Sequence, residues 1–161
     1  MRRLFFAALL ALPLVPLATP AAGQALPAAE RPTVAAVRLA EGDTIRLDGV
    51  LSEAVWQQAL PATGFKQIDP LNGRPATEET EVRIVYTEKA LYLGVICHDS
   101  EPDKWLGYQR RRDEFLGSDD RFMWTIDTFL DERSGYFFEM NPSGLMGDSL
   151  MGNNIDNRQW D

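Results

Sequence analysis

Between Asp119 and Gly144 the chain reads DDRFMWTIDTFLDERSGYFFEMNPSG, and side-chain character alternates residue by residue along its first half. Within Arg121–Leu130, Phe122, Trp124 and Ile126 fall on one side of an extended backbone and Met123, Thr125 and Asp127 on the other. A period of two is the signature of a half-buried strand and is incompatible with a helix. The segment DERSG carries turn chemistry, and Tyr136–Met140 resumes as an aromatic-rich strand closed by Asn141-Pro142 and Ser143-Gly144. A charged hairpin is the expectation, and the rest of the chain must supply layers that cover it.

The same pattern recurs upstream. Glu79–Thr87 and Leu91–His98 alternate around Glu88-Lys89-Ala90, which predicts a second hairpin. Thr44–Leu47 reads as a short strand ending at the Asp48-Gly49 turn, Phe65–Ile68 as an edge strand, and Pro70–Pro75 as a loop. Ser52 is placed to cap one short helix that ends before Pro61, with Trp56 as the anchor that docks it on the core. Asp99–Lys104 reads as an acidic loop and Trp105–Phe115 as a polar, basic one; Leu145–Met151 is a further candidate strand. Six to eight short strands with one helix predict an all-β antiparallel sandwich. The chain stops at Gln159-Trp160-Asp161 without a closing turn, so at least one more strand is expected beyond it.

Residues 1–25 read as a secretory signal peptide: Arg2 and Arg3, then the apolar run Leu4–Val15, then small residues. An extended, mobile lead-in rich in Pro and Ala is expected over 26–43, and the domain over 44–161. Export implies a periplasmic, outer-membrane-associated or extracellular location. The formal net charge is −8, and the leader holds two of the sixteen basic residues and no acid, so its removal leaves a still more acidic domain. Such a charge repels nucleic acid and anionic lipid and leaves neutral ligands and divalent cations as partners. Cys97 is the only cysteine and excludes an internal disulfide. It alternates with Leu91, Leu93 and Val95, which predicts a buried thiol.

Chemistry-bearing groups are few. Asp120, Asp127 and Asp131, with Asp119 and Glu132, could offer oxygens to calcium or keep strand ends solvated; no strict calcium-loop spacing is present. Asp120 and Glu139 are the carboxylates one would pair for glycoside hydrolysis. His98 and Cys97 are adjacent on a strand and point apart, so nucleophilic catalysis and zinc binding find no ligand set. Arg110-Arg111-Arg112-Asp113 is the one basic cluster, suited both to sugar hydroxyls and to pairing with Asp113, Glu114, Asp119 or Asp120. Trp105, Tyr108 and Trp160 sit in polar surroundings where a ring can stack on the C–H face of a pyranose, whereas Trp124 alternates with Phe122 and Ile126 as core.

Residues 44–161, through IRLDGVLSEAVW, FKQIDPLNGRPATEETEVRIVYTEKALYLGVICHD, RRD and SDDRFMWTIDTFLDERSGYFFEMNPSG, resemble family 9 carbohydrate-binding modules. The resemblance is to the version at the amino terminus of large bacterial exported proteins whose remainder resembles an outer-membrane β-barrel. It implies an immunoglobulin- or jelly-roll-like sandwich, sugar binding linked to polysaccharide breakdown, and calcium in some relatives. Asp120 and Asp127 match the first and last aspartates of the family's D-x-x-E-x-x-x-D strand. The stacking Trp position falls on Gly117 and the glutamate position on Met123. A sugar site here is therefore expected from Trp105, Tyr108, Arg112, Asp113 and Trp160. Two alternatives accompany this reading: a periplasmic docking domain of a barrel protein, and a haem-binding redox module in which His98 pairs with Met123, Met140 or Met146.

Overall fold

The computed structural model describes residues 32–152 and 155–160; the leader predicted over 1–25 lies outside them. Among the described residues, seven strands and one short α-helix follow in the order β1 (Val37–Arg38), α1 (Ala54–Gln58), β2 (Thr80–Tyr86), β3 (Leu91–Cys97), β4 (Phe122–Ile126), β5 (Ser134–Met140), β6 (Met146–Gly152) and β7 (Ile155–Asn157), with a single 3-10 turn, Pro102–Lys104, between β3 and β4. They form two sheets, a three-stranded one in the order β1-β2-β3 and a four-stranded one in the order β4-β5-β6-β7. The protein is all-β.

The two hairpins expected from alternation are present. β2 and β3 pair antiparallel from Thr80–Cys97 to Tyr86–Leu91, and β4 and β5 from Phe122–Met140 to Ile126–Tyr136. Along β4 the even residues are half-buried and Met123 and Thr125 are exposed, as the period of two requires. The turn between β4 and β5 is tied by its own acids. Asp127 accepts backbone N–H bonds from Phe129, Asp131 and Glu132, and Asp131 accepts from Arg133 and Ser134. These bonds hold Leu130 and Glu132 at φ 54° and 56°, a conformation such side chains rarely adopt unaided.

One face of the first sheet is closed. Trp56 is 3% exposed and packs with Val55, Ala59, Leu39 and Val85. Its indole Nε1 donates to Glu53 Oε2 at 3.1 Å, and Glu53 Oε1 accepts the Arg46 N–H at 2.8 Å. That backbone bond is the main reason the Glu53 carboxyl titrates below its ordinary value. Glu53, not Ser52, occupies the position before the helix, because its longer side chain reaches the indole instead of an orphan backbone N–H. Gly94 explains itself here: a Cβ at that position would lie 2.8 Å from Trp56 Cζ3 and 3.0 Å from Leu51 Cδ1.

Several expectations need correction. The lead-in contributes β1, which pairs parallel with β2 through Val37–Val85 and Arg38–Tyr86 and delivers Leu39 to the core. Thr44–Leu47 forms no strand, and Leu47 is 88% exposed. Phe65–Ile68 is reduced to one isolated bridge, Lys66 to Pro75, because Gln67 turns back to the Arg74 carbonyl; the bridge to Val82 is made upstream, by Ala62. Cys97 is exposed, since it ends β3 on the face that α1 does not cover. Trp124 is only half-buried; it stacks between Phe122 at 5.6 Å and Phe138 at 5.2 Å. The uncovered side of β2 and β3, carrying Ile84 and Leu93, opens onto an apolar cleft of about 550 Å³ that also runs along all five residues of β4.

Candidate functional site around Asp148

The register of the second sheet sets Trp124, Phe138 and Asp148 side by side across β4, β5 and β6. An acid therefore stands beside a row of stacked rings, in the interior of a strand, and it is 4% exposed. A buried carboxylate persists only with partners; the Asp148 carboxylate has two, and the residue's backbone N–H makes a third bond. Arg112 Nη2 donates to Oδ1 at 2.5 Å, Trp160 Nε1 donates to Oδ2 at 3.1 Å, and the Asp148 N–H reaches Asp113 Oδ1 at 3.2 Å. Arg112 Nε lies 3.2 Å from Asp113 Oδ2, so guanidinium and both acids form one network. The Trp160 ring meets Tyr136 edge-on at 5.5 Å.

The long segment between β3 and β4 is laid onto this sheet by a second set of bonds. Asp119 is buried and its Oδ2 accepts Asn141 Nδ2 at 2.9 Å and Gln109 N–H at 3.0 Å. Those two bonds, the side-chain amide first, hold the Asp119 carboxyl below the usual carboxylate range. Arg110 donates to the Gly107 carbonyl and to Ser143 Oγ, and Arg111 pairs with Glu114 at 3.7 Å. The basic cluster thus divides into three separate uses, with only Arg112 directed to the acid on β6.

Of the five residues predicted for sugar contact, Arg112, Asp113 and Trp160 converge on Asp148. Trp105 lies against Gly107 near Ser143, and Tyr108 is an exposed neighbour along the same segment; neither bonds to the Asp148 network. Asp148 and Tyr136 were missed. The available signal was an acid inside the apolar run LMGDSLM, but its partners depend on a register that alternation alone does not supply.

The remaining acids are engaged elsewhere. Asp120 Oδ2 accepts the Leu106 N–H at 2.7 Å at the start of β4, while Asp127 and Asp131 are committed to the turn at its far end. Hence the three calcium candidates are not brought together, and among the described residues no group of three or more His, Cys, Asp and Glu is arranged for a metal. Glu139, the proposed partner of Asp120, is fully buried between Arg121 at 2.6 Å and Arg158 at 2.7 Å, where no substrate reaches it. The contact with Arg158 is an ion pair without hydrogen-bond alignment. His98 Nε2 lies 3.1 Å from Glu81, on the first sheet, whereas Met123, Met140 and Met146 belong to the second. The His98 and Arg83 contacts hold the Glu81 carboxyl low. Gly117 leaves room for the Phe115 ring, and Met123 is exposed opposite Glu139.

No protein-family model matches this chain, and no curated protein or solved structure matches it.

Proposed function

We propose that this chain is a non-catalytic carbohydrate-binding module of an exported protein linked to polysaccharide breakdown. Its two sheets are then the layers of an immunoglobulin- or jelly-roll-like sandwich, and its place is the periplasm, the outer membrane or the cell exterior. The observation that carries the reading is the Asp148 network: the Trp160 indole packed edge-on against Tyr136, a half-exposed guanidinium and two acids joined by hydrogen bonds. A stacking surface with a few oriented polar groups is the arrangement a neutral saccharide requires. The negative net charge suits such a ligand. Calorimetric titration with soluble glucan, xylan and mannan oligosaccharides tests it. Wild-type protein should bind at least one of them, and Trp160→Ala should weaken that binding about tenfold with the fold intact by circular dichroism. A folded wild-type protein that binds none of them refutes the reading.

A second reading, a periplasmic docking domain of an outer-membrane β-barrel protein that no longer binds sugar, draws support from the apolar cleft beside β4. That cleft presents mostly hydrocarbon and little hydrogen-bonding surface, which suits protein contact better than a saccharide. Retained fold with no saccharide binding favours this alternative.

A further inference from the structure

Phe115 is a large apolar ring that is 68% exposed, yet three features hold it in place. Leu116, the next residue, has no exposed surface and pins the segment to the protein. Gly117 has no side chain, and a Cβ there would run into the Phe115 ring, so the ring lies back across the chain where only glycine permits it. The Arg121 guanidinium sits 5.4 Å from the ring centroid and is itself anchored at 2.6 Å on the fully buried Glu139. An exposed ring on a mobile loop is ordinary; one backed by an anchored cation is a fixed surface open to solvent.

Glu139 pairs across the strands with Gly147, one position from Asp148, so alternation sends its side chain to the opposite face of the second sheet. The Phe115–Arg121 platform and the Asp148 network are therefore separate. We infer that Phe115 is a second stacking surface for the C–H face of a pyranose ring, independent of Trp160. The ligand class rests on the function proposed above; the location rests only on the ring, the glycine and the arginine. Two such surfaces on opposite faces of one sheet would let the domain bridge two saccharide segments.

The test is calorimetric titration of the whole chain with cellohexaose, xylohexaose and mannohexaose, comparing wild type with Phe115→Ala, Phe115→Trp, Gly117→Ala and Trp160→Ala. Phe115→Ala should lower affinity or apparent stoichiometry, with a roughly five- to tenfold weaker second site, while Phe115→Trp retains binding. Gly117→Ala should reproduce the loss without altering the ring itself, because it displaces it. Unchanged thermal midpoints for Phe115→Ala and Phe115→Trp exclude an unfolding explanation. If wild type binds and both Phe115→Ala and Gly117→Ala titrate like it, the second surface is refuted and the Asp148 site stands. If Phe115→Ala loses binding and Trp160→Ala does not, the reverse holds. Failure of wild type to bind any of the three hexaoses overturns both.

Discussion

Replacing Glu139 by Gln keeps the shape of the side chain and removes its charge from between two arginines. In the wild type the carboxylate is fully buried, with Arg121 and Arg158 at 2.6 and 2.7 Å and their side chains 24% and 22% exposed. An amide oxygen can accept from one guanidinium, but the amide N–H₂ then faces the other, and the arginines lose the anion that screens their mutual repulsion. Removing one partner of a buried pair costs about 3–5 kcal/mol. Because roughly a quarter of each arginine stays in contact with water, the lower part of that scale applies, and about 2–4 kcal/mol is expected. At a denaturant slope of about 1.5–2 kcal/mol per molar urea, the unfolding midpoint should fall by about 1–3 M. Urea titration followed by circular dichroism and tryptophan fluorescence measures it. A companion variant, Arg121→Met with Glu139→Leu and Arg158→Met, should lose far less, since no charge is stranded. A loss below about 0.5 kcal/mol for Glu139→Gln, or a larger loss for the triple variant, would refute the view that this centre is held by charge balance.

Three further outcomes are expected. Gly94→Ala should cost about 1–3 kcal/mol in chemical unfolding, because the new methyl meets an indole ring that is locked by its bond to Glu53 and cannot yield. The Asp119 carboxyl titrates below 3.8 in the folded state, so its contribution is complete above that value and lost as pH falls through the depressed one; Asp119→Asn should flatten this part of the acid-unfolding curve. Cys97 should react fully with Ellman's reagent without denaturant, whereas a buried thiol would react only after unfolding.

Alternation of side-chain character placed β2, β3, β4 and β5, although only β4 keeps one whole set of side chains exposed; both faces of β2 and β5 are largely covered. It failed where pairing replaces burial as the cause of extension. β1 is two residues in a Pro- and Ala-rich stretch, and nothing in Val37–Arg38 announces a parallel partner 48 residues away. The opposite error occurred at Thr44–Leu47, where β-favouring side chains find no neighbouring strand. Residue type singles out Trp160, Arg112 and Asp113 as candidates but not the point where they meet, because Asp148 is reached through the β5–β6 register. Cys97 shows that an apolar stripe predicts a face, while burial needs something on top of it.

β4 is an outermost strand of its sheet, and its sequence Phe-Met-Trp-Thr-Ile contains no lysine, proline or bulge to discourage another strand from joining it. Backbone groups along such a rim offer a ready ladder to any extended peptide, including the same segment from another molecule. Concentrated preparations of this domain should therefore self-associate through Phe122–Ile126, and a single Thr125→Lys on the exposed side should keep them monodisperse without touching Trp160 or Phe115.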